Sequence, residues 1–340
     1  MNNEEEVKGT ICLEETVEEL QRDFIPKSFD DYLGQDSLKQ KLHVWTQAAK
    51  NRHEPLDHLL FFGPPGLGKT TLATIMANVM NVNIKICSGP TLERTGDIVA
   101  IISSLAPRDI LFIDEIHRMP TAVEEMLYTA MEQYKVDVII GQGAGAQSIT
   151  IPINPFTLIG ATTKSGIISA PLRSRFGITE RLDFYTPTDL AKIIKQNALF
   201  LECKITDEAA LILAQSARGT PRIAKRLTRR MRDIMEFDKK NIADAPIAKK
   251  TLEFLHIDEQ GLTKVDYLLL KKLVCDYNGG PVGVETLAAL IGEDKNSIET
   301  VHEPFLIRQG YLEKTSRGRQ IPARQLLKLK KLFLGQQTID

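Results

Sequence analysis

The sequence predicts a mainly parallel α/β domain, then a helical domain, then a small unit of helices closed by a hairpin. Three observations predict it. Short apolar stretches alternate with helical patterns as far as Tyr185; from Thr186 helical spacing takes over; and beyond about Ile257 the rhythm becomes helix, turn, helix, hairpin. At 340 residues the chain exceeds one ordinary core, and 43% apolar with 26% charged residues is a folded composition. The expected boundaries are an acidic, disordered tail at 1–22, a large domain at 23–185, a helical domain at 186–256 and a last unit at 257–340.

Taken in order, "DHLLFFGPPGLGKTTLATIMANVM" is a buried strand, a Gly/Pro loop and a helix with apolar residues at helical spacing. "DILFIDEIHRM" is a second strand ending in acids, and "FTLIGATTK" a third ending in hydroxyls. In such a sheet ligands bind beyond the carboxyl ends of the strands, so these polar ends converge on one rim. Between the second and third strands, "VDVIIGQGAGAQSITI" at 136–151 alternates around a Gly/Ala-rich centre, the pattern of an inserted β-hairpin. "TDEAALILAQSARGTPRIAKRLTRRMRDIM" carries the helical domain, and "VETLAALIGEDKNSIETVHEPFLIRQGYLEKTSRGRQIPA" the last unit.

Gly63 to Thr70, "GPPGLGKT", is the phosphate-binding loop pattern between a strand and a helix. Its glycines, Gly66 and Gly68 among them, let backbone N–H groups close around phosphate oxygens; Lys69 reaches the β- and γ-phosphates, and Thr70 offers a hydroxyl to Mg²⁺. Asp114 is expected to hold the metal shell and Glu115 to activate the attacking water. Thr162 and Thr163 end the third strand where a γ-phosphate is sensed; Thr163 is the assigned residue, although buried hydroxyls often bond only backbone.

The phosphate loop, "DEIH", "GATT", "LRSRFG" and "GTPR" before a basic helix together resemble the AAA+ ATPases. "DHLLFFGPPGLGKTTLA", "LFIDEIHR", "LIGATTKSG", "PLRSRFG", "RGTPRIAKRL" and "GGPVGVETLAALIGE" narrow the resemblance to the RuvB family of Holliday-junction branch-migration motors, over about Phe24 to Arg319. It implies an α/β P-loop (AAA+) ATPase domain, a helical small domain and a C-terminal winged-helix domain. It implies ATP and Mg²⁺ as ligands, with adenine near Phe24, Ile25 and Tyr185, and with Thr71, Glu132, Gln133 and Tyr134 among the nucleotide contacts. The family usually has arginine where this chain has Ile25 before Pro26, which bears on any side-chain contact from that position. Arg222 of "GTPR" matches the arginine that reads the phosphates from the small domain, and Arg175 matches the arginine finger offered to a neighbour's γ-phosphate; Arg173 is expected in ion pairs.

The resemblance further implies a homo-hexameric ring on double-stranded DNA and Holliday junctions, acting with RuvA and beside the resolvase RuvC in recombination, repair and the SOS response. The winged helix would meet phosphates through Lys295, Lys314, Arg317 and Arg319, without reading bases. The hairpin would dock on RuvA through Ile139, Ile140 and Ile149, unless these residues are core. A clamp-loader-like ATP switch is the alternative, but such proteins often carry a cysteine after "SR" and end in a helical collar, whereas this chain reads "SRFG" and ends in a winged helix.

Composition excludes several other classes. The net charge of −1 advertises no nucleic acid globally, yet residues 4–19 hold seven glutamates and one lysine, while Arg308 to Lys331 hold eight basic residues and one acid, Glu313. Cys12, Cys87, Cys203 and Cys275 lack the paired spacing of a zinc site. No apolar run approaches the ~20 residues of a membrane span, and the acidic N-terminus lacks a signal-peptide pattern, so a cytoplasmic protein without membrane partners is expected.

Overall fold

A computed structural model of the chain describes residues 23–140 and 147–334, the side chains of residues 139, 140, 165 and 334 excepted. The expected tail at 1–22 and the hairpin tip at 141–146 lie outside the described residues. The chain divides into two compact units, Met1–Tyr185 and Thr186–Asp340.

The first unit contains, in order, α1 (Asp36–Arg52), β1 (Leu59–Phe62), α2 (Lys69–Met80), β2 (Ile84–Ser88), α3 (Thr95–Ser103), β3 (Ile110–Asp114), α4 (Thr121–Gln133), β4 (Lys135–Ile140), β5 (Gln147–Pro152), β6 (Thr157–Thr162), α5 (Ala170–Ser174) and β7 (Ile178–Arg181). The main sheet runs β2-β3-β6-β1-β7, with every neighbouring pair parallel. Helices cover its faces, so the three central strands are buried and read as unbroken apolar runs. The edge strands β2 ("IKICS") and β7 ("ITER") are half-exposed, and the sequence reading of three strands omitted them.

β4 and β5 form a separate antiparallel hairpin, with Val136 opposite Ile151 and Val138 opposite Ile149. Its apolar face begins as core at Val136, continues through the partly buried Val138 and Ile151, and reaches solvent at Ile149, which is 45% exposed.

The second unit begins with α6 (Pro187–Phe200), α7 (Asp207–Ser216), α8 (Pro221–Phe237) and α9 (Ala245–Phe254). It continues with α10 (Lys264–Cys275), α11 (Val284–Ile291) and α12 (Lys295–Ser297), which runs through a π turn (Ile298–His302) into α13 (Glu303–Arg308), then β8 (Glu313–Thr315), β9 (Gly318–Gln320) and α14 (Ala323–Leu334). Helix starts are written locally: Thr186, Thr206, Asp244 and Thr263 each accept from a first-turn N–H, and proline opens α6 and α8. A third chain segment joins the β8–β9 hairpin at a single bridge, where Val282 and Arg319 exchange backbone hydrogen bonds of 2.9 and 2.7 Å. A glycine is required beside it, because Gly318 has φ 139° and a Cβ there would run into the Val282 backbone. Among the described residues no helix is long and apolar enough to cross a membrane.

Candidate functional site

Strand β1 ends at the phosphate loop, and the loop is shaped by positions that only glycine fits. Gly63, Gly66 and Gly68 have φ of 145°, 78° and 98°. A Cβ on Gly63 would collide with the Leu182 carbonyl, and one on Gly68 would lie 2.8 Å from the Tyr32 hydroxyl. Lys69, the first residue of α2, is buried, and its Nζ donates to the carbonyls of Gly63 (2.9 Å) and Pro64 (3.0 Å). The loop therefore curls around its own cation, with the half-buried Thr70 and Thr71 following in the first turn of the helix.

A residue absent from the sequence reading braces this loop. The Tyr185 hydroxyl donates to that of Tyr32 at 2.7 Å, and the Tyr32 hydroxyl donates to the Leu67 carbonyl at 3.3 Å. Burial, then the neighbouring Tyr185, push the Tyr32 phenol well above its ordinary value, so it stays a neutral donor. Tyr32 has no motif around it; the pair joins positions 153 residues apart. Phe24 and Ile25, assigned with Tyr185 to adenine, are half-buried.

Asp114 closes β3, and its Oδ1 accepts from the Glu115 N–H at 2.9 Å. Glu115 turns away in the left-handed region (φ 49°), which aims its side chain differently from its neighbour's. His117 lies between this acid and the adjacent strand: Nε2 is 3.5 Å from Glu115 Oε2 and Nδ1 is 2.9 Å from Thr162 Oγ1. Burial, the largest effect, lowers the His117 pKa despite the nearby Glu115, so the ring is neutral at pH 7. A carboxylate can only accept, so the tautomer that suits both neighbours has the proton on Nε2 and Nδ1 accepting from the Thr162 hydroxyl. That hydroxyl in turn accepts from the Lys164 N–H at 3.0 Å. Thr162 is thus fully engaged and fully buried, while the assigned Thr163 sits one residue past the strand, half-buried. His117 lay inside the quoted "DEIH", yet its bridging role was missed because Thr162 is 45 residues away.

Arg175, Glu132, Gln133 and Tyr134 gather elsewhere. β7 runs parallel to β1 with Ile178 opposite Leu59, the first residue of β1, and Arg175 stands just before β7. It therefore lies at the amino edge of the sheet, the edge opposite Gly63 to Lys69. The C-terminal end of α4 is fixed to the same edge: His58 Nε2 is 3.2 Å from the Met131 carbonyl, and its Nδ1 accepts from the Leu158 N–H. Arg175 Nε is 3.1 Å from Glu132 Oε1, its guanidinium lies 4.6 Å over the Tyr128 ring, and Nη1 donates to the Pro171 carbonyl at 2.8 Å. Of the two arginines, then, Arg175 has the carboxylate, and Arg173, where ion pairs were expected, is exposed. The four assigned nucleotide contacts on this edge are parted from the unit's own phosphate loop by the length of a four-residue strand, ~13 Å.

In the second unit, Arg222 is exposed in the first turn of α8. On the winged helix Arg317 is exposed, Lys314 is exposed and 3.9 Å from Glu299, and Lys295 pairs on the surface with Glu285 at 2.8 Å. Arg319 requires a correction. Expected as a phosphate contact, it is 7% exposed, with its guanidinium bonded to Glu303 and, at 2.8 Å, to Glu299. Those carboxylates use the fork a phosphate would need, so Arg319 ties the wing to α13 instead. Of the hairpin isoleucines, Ile149 is exposed, while the side chains of Ile139 and Ile140 lie outside the described residues.

Three family models match successive parts of the chain: the Holliday junction DNA helicase RuvB P-loop domain over residues 24–182, the RuvB AAA lid domain over 185–258 and the RuvB C-terminal winged helix domain over 259–330. A Holliday junction branch migration complex subunit RuvB from Nitratidesulfovibrio vulgaris (strain DP4) is 48% identical over 316 residues, covering 93% of this chain and 97% of the relative. The protein of that name from Enterococcus faecalis is also 48% identical, covering 93% and 94%. A solved structure described as the Thermotoga maritima RuvB Holliday junction branch migration motor superposes with a TM-score of 0.82 at 47% identity, covering 90% of this chain and 98% of that one.

Proposed function

The chain belongs to the RuvB family, and on that premise we propose that it is the ATP-driven motor of Holliday-junction branch migration, working with RuvA on double-stranded DNA as a hexameric ring. Its P-loop domain hydrolyses ATP. The proposal extends to DNA translocation, to Mg²⁺ as the companion of the nucleotide, to RuvC as a further partner and to a cytoplasmic location.

The observation that carries the reading is the opposition of two edges in one domain. Lys69, Asp114, Glu115 and Thr162 stand at the carboxyl edge of the sheet, and Arg175 with Glu132 at the amino edge. A guanidinium so far from its own phosphate loop serves catalysis only in another subunit's site, and a head-to-tail ring gives every site such a neighbour. The Arg175–Glu132 pair is exposed on the acid's side, so exchanging it for a phosphate costs about 1 kcal/mol or less. An arginine finger contributes ~10³ or more in rate in comparable phosphoryl transfers.

The phosphate loop fits a triphosphate: its left-handed glycines give the backbone the curvature with which N–H groups can close around an anion, and the buried Lys69 ammonium turns from loop carbonyls to β- and γ-oxygens. Thr70 and Asp114 supply the oxygens suited to Mg²⁺, which when bound neutralises charge on the phosphates. Glu115 accepts a hydrogen bond from the attacking water, and His117 holds that carboxylate by its Nε2–H. Thr163, beside the Thr162–His117 bridge, senses the γ-phosphate. Arg222 reads the phosphates from its own domain, and Lys295, Lys314 and Arg317 meet the DNA backbone.

The test is ATP-dependent dissociation of a synthetic four-way junction with mobile homologous arms, with and without RuvA, for the protein and for Lys69→Ala and Arg175→Ala. Strand movement that needs RuvA and is lost in both variants is expected. Junction binding and ATP hydrolysis without strand movement would favour a loader-like switch.

A further inference from the structure

The turn that bears Arg222 is bound to the winged helix through buried charged groups that the reaction above does not use. Arg218 and Gly219, just before that turn, are in the left-handed region with φ of 54° and 74°. Arg218 is 6% exposed; its Nε donates to the Gly261 carbonyl at 2.7 Å and its Nη2 to Asp266 Oδ2. Asp266, in α10, is fully buried and collects three partners besides: the Thr263 N–H and hydroxyl, each at 2.7 Å, and His302 Nδ1 at 2.7 Å. Burial pushes the Asp266 carboxyl up, but His302, Arg218 and Thr263 together outweigh it and hold it below the usual range, so it is an anion.

The contacts continue towards the wing. The Phe305 ring, one turn of helix beyond His302, has the Arg218 guanidinium 4.5 Å from its centroid and that of Arg308 at 5.9 Å. Arg308 leans on Gly219, where a Cβ would overlap its guanidinium. Glu303, adjacent to His302, holds Arg319 of β9. One connected set of side chains therefore runs from the Arg222 turn through Asp266 and His302 to the strand that follows Arg317. Such buried ion pairs are no better than packed apolar residues for stability, but they fix direction and distance. Their worth here lies in geometry.

We propose that Arg218, Asp266 and His302 are positioning residues that make the Arg222 turn and the winged helix move as one body, so that a displacement of Arg222 by nucleotide is delivered to the DNA-binding wing. This rests on the motor reading above. It predicts separable effects on turnover and on work.

The test compares full-length His302→Phe, which keeps ring volume but loses the donor, with His302→Asn, whose amide puts a donor near the position of Nδ1. Basal ATP turnover, KM for ATP, stimulation by duplex DNA, ATP consumed per junction dissociated with RuvA, and the melting temperature are measured together. In His302→Phe, basal turnover and KM stay within about twofold while duplex stimulation disappears and ATP per junction rises about tenfold or more; His302→Asn restores coupling. Unchanged coupling in His302→Phe overturns the proposal. So does a fall of every activity in step with the melting temperature that His302→Asn does not reverse. If His302→Phe fails to fold, Arg218→Lys, which keeps charge but loses the fork, is read by the same measurements. Should the unaltered protein hydrolyse ATP and bind duplex yet move no strand, the motor reading fails, and duplex stimulation in the variants still decides the coupler.

Discussion

In the proposed mechanism the Glu115 carboxylate faces an attacking water, and His117 is the group beside it that restrains it. The histidine's ring is neutral because burial lowers its pKa, and only the neutral ring can turn an N–H towards Glu115, 3.5 Å from Nε2, while accepting at Nδ1 from Thr162. His117→Ala should lower kcat roughly tenfold to hundredfold with little change in KM, the worth of one hydrogen bond to a charged group. The pH profile gives a second check. Because the native value lies below the ordinary 6.5, turnover should hold as pH falls through 6.5 and decline only once Nδ1 takes a proton; that limb should vanish in His117→Asn. The roles proposed for Lys69 and Asp114 could be read from the sequence because phosphate and metal chemistry demand fixed residues at fixed spacing. His117 and Tyr32 were not, since each acts on a partner that only the fold brings near, Thr162 in one case and Tyr185 in the other.

Among the elements, the central strands announce themselves because both faces are covered, while β2 and β7 carry no strand signal because a sheet edge tolerates Lys85, Glu180 and Arg181. The wing shows the same limit. "TSRGRQ" presents two arginines that look equivalent, yet Arg317 is exposed and Arg319 is buried against Glu299 and Glu303. Their substitutions should part company. Arg317→Ala should weaken duplex binding and reduce the slope of affinity against salt by ~0.9 per lost phosphate contact, with no change in melting. Arg319→Ala leaves the buried Glu303 without its counter-ion, and Glu299 with only Lys314 at 3.9 Å, and should destabilise the winged helix by about 3–5 kcal/mol, seen as earlier thermal unfolding. Among the described side chains of the β4–β5 hairpin, Ile149 is an apolar residue that reaches solvent, so Ile149→Asp tests partner docking without opening the core. The ratio of RuvA-stimulated to basal ATP turnover should fall towards one, with the melting temperature unchanged.

For the whole molecule, the question is whether a complete site exists within one chain. The polarity of the sheet puts Lys69 and Arg175 at opposite edges, so in the proposed ring a competent site takes the loop of one subunit and the arginine of the next. Lys69→Ala and Arg175→Ala should each abolish turnover in a ring made of one variant alone. Mixed in equal amounts, they should recover it. Wherever an Arg175→Ala subunit offers its intact loop to the intact arginine of a Lys69→Ala neighbour, the site is whole, and random assembly makes about a quarter of the interfaces so. ATP turnover of the mixture near a quarter of the unaltered protein's is therefore expected. If Arg175 served its own chain, every subunit in the mixture would carry one defect, and turnover would stay at the sum of the two inactive preparations. That outcome would remove the structural reason for a ring.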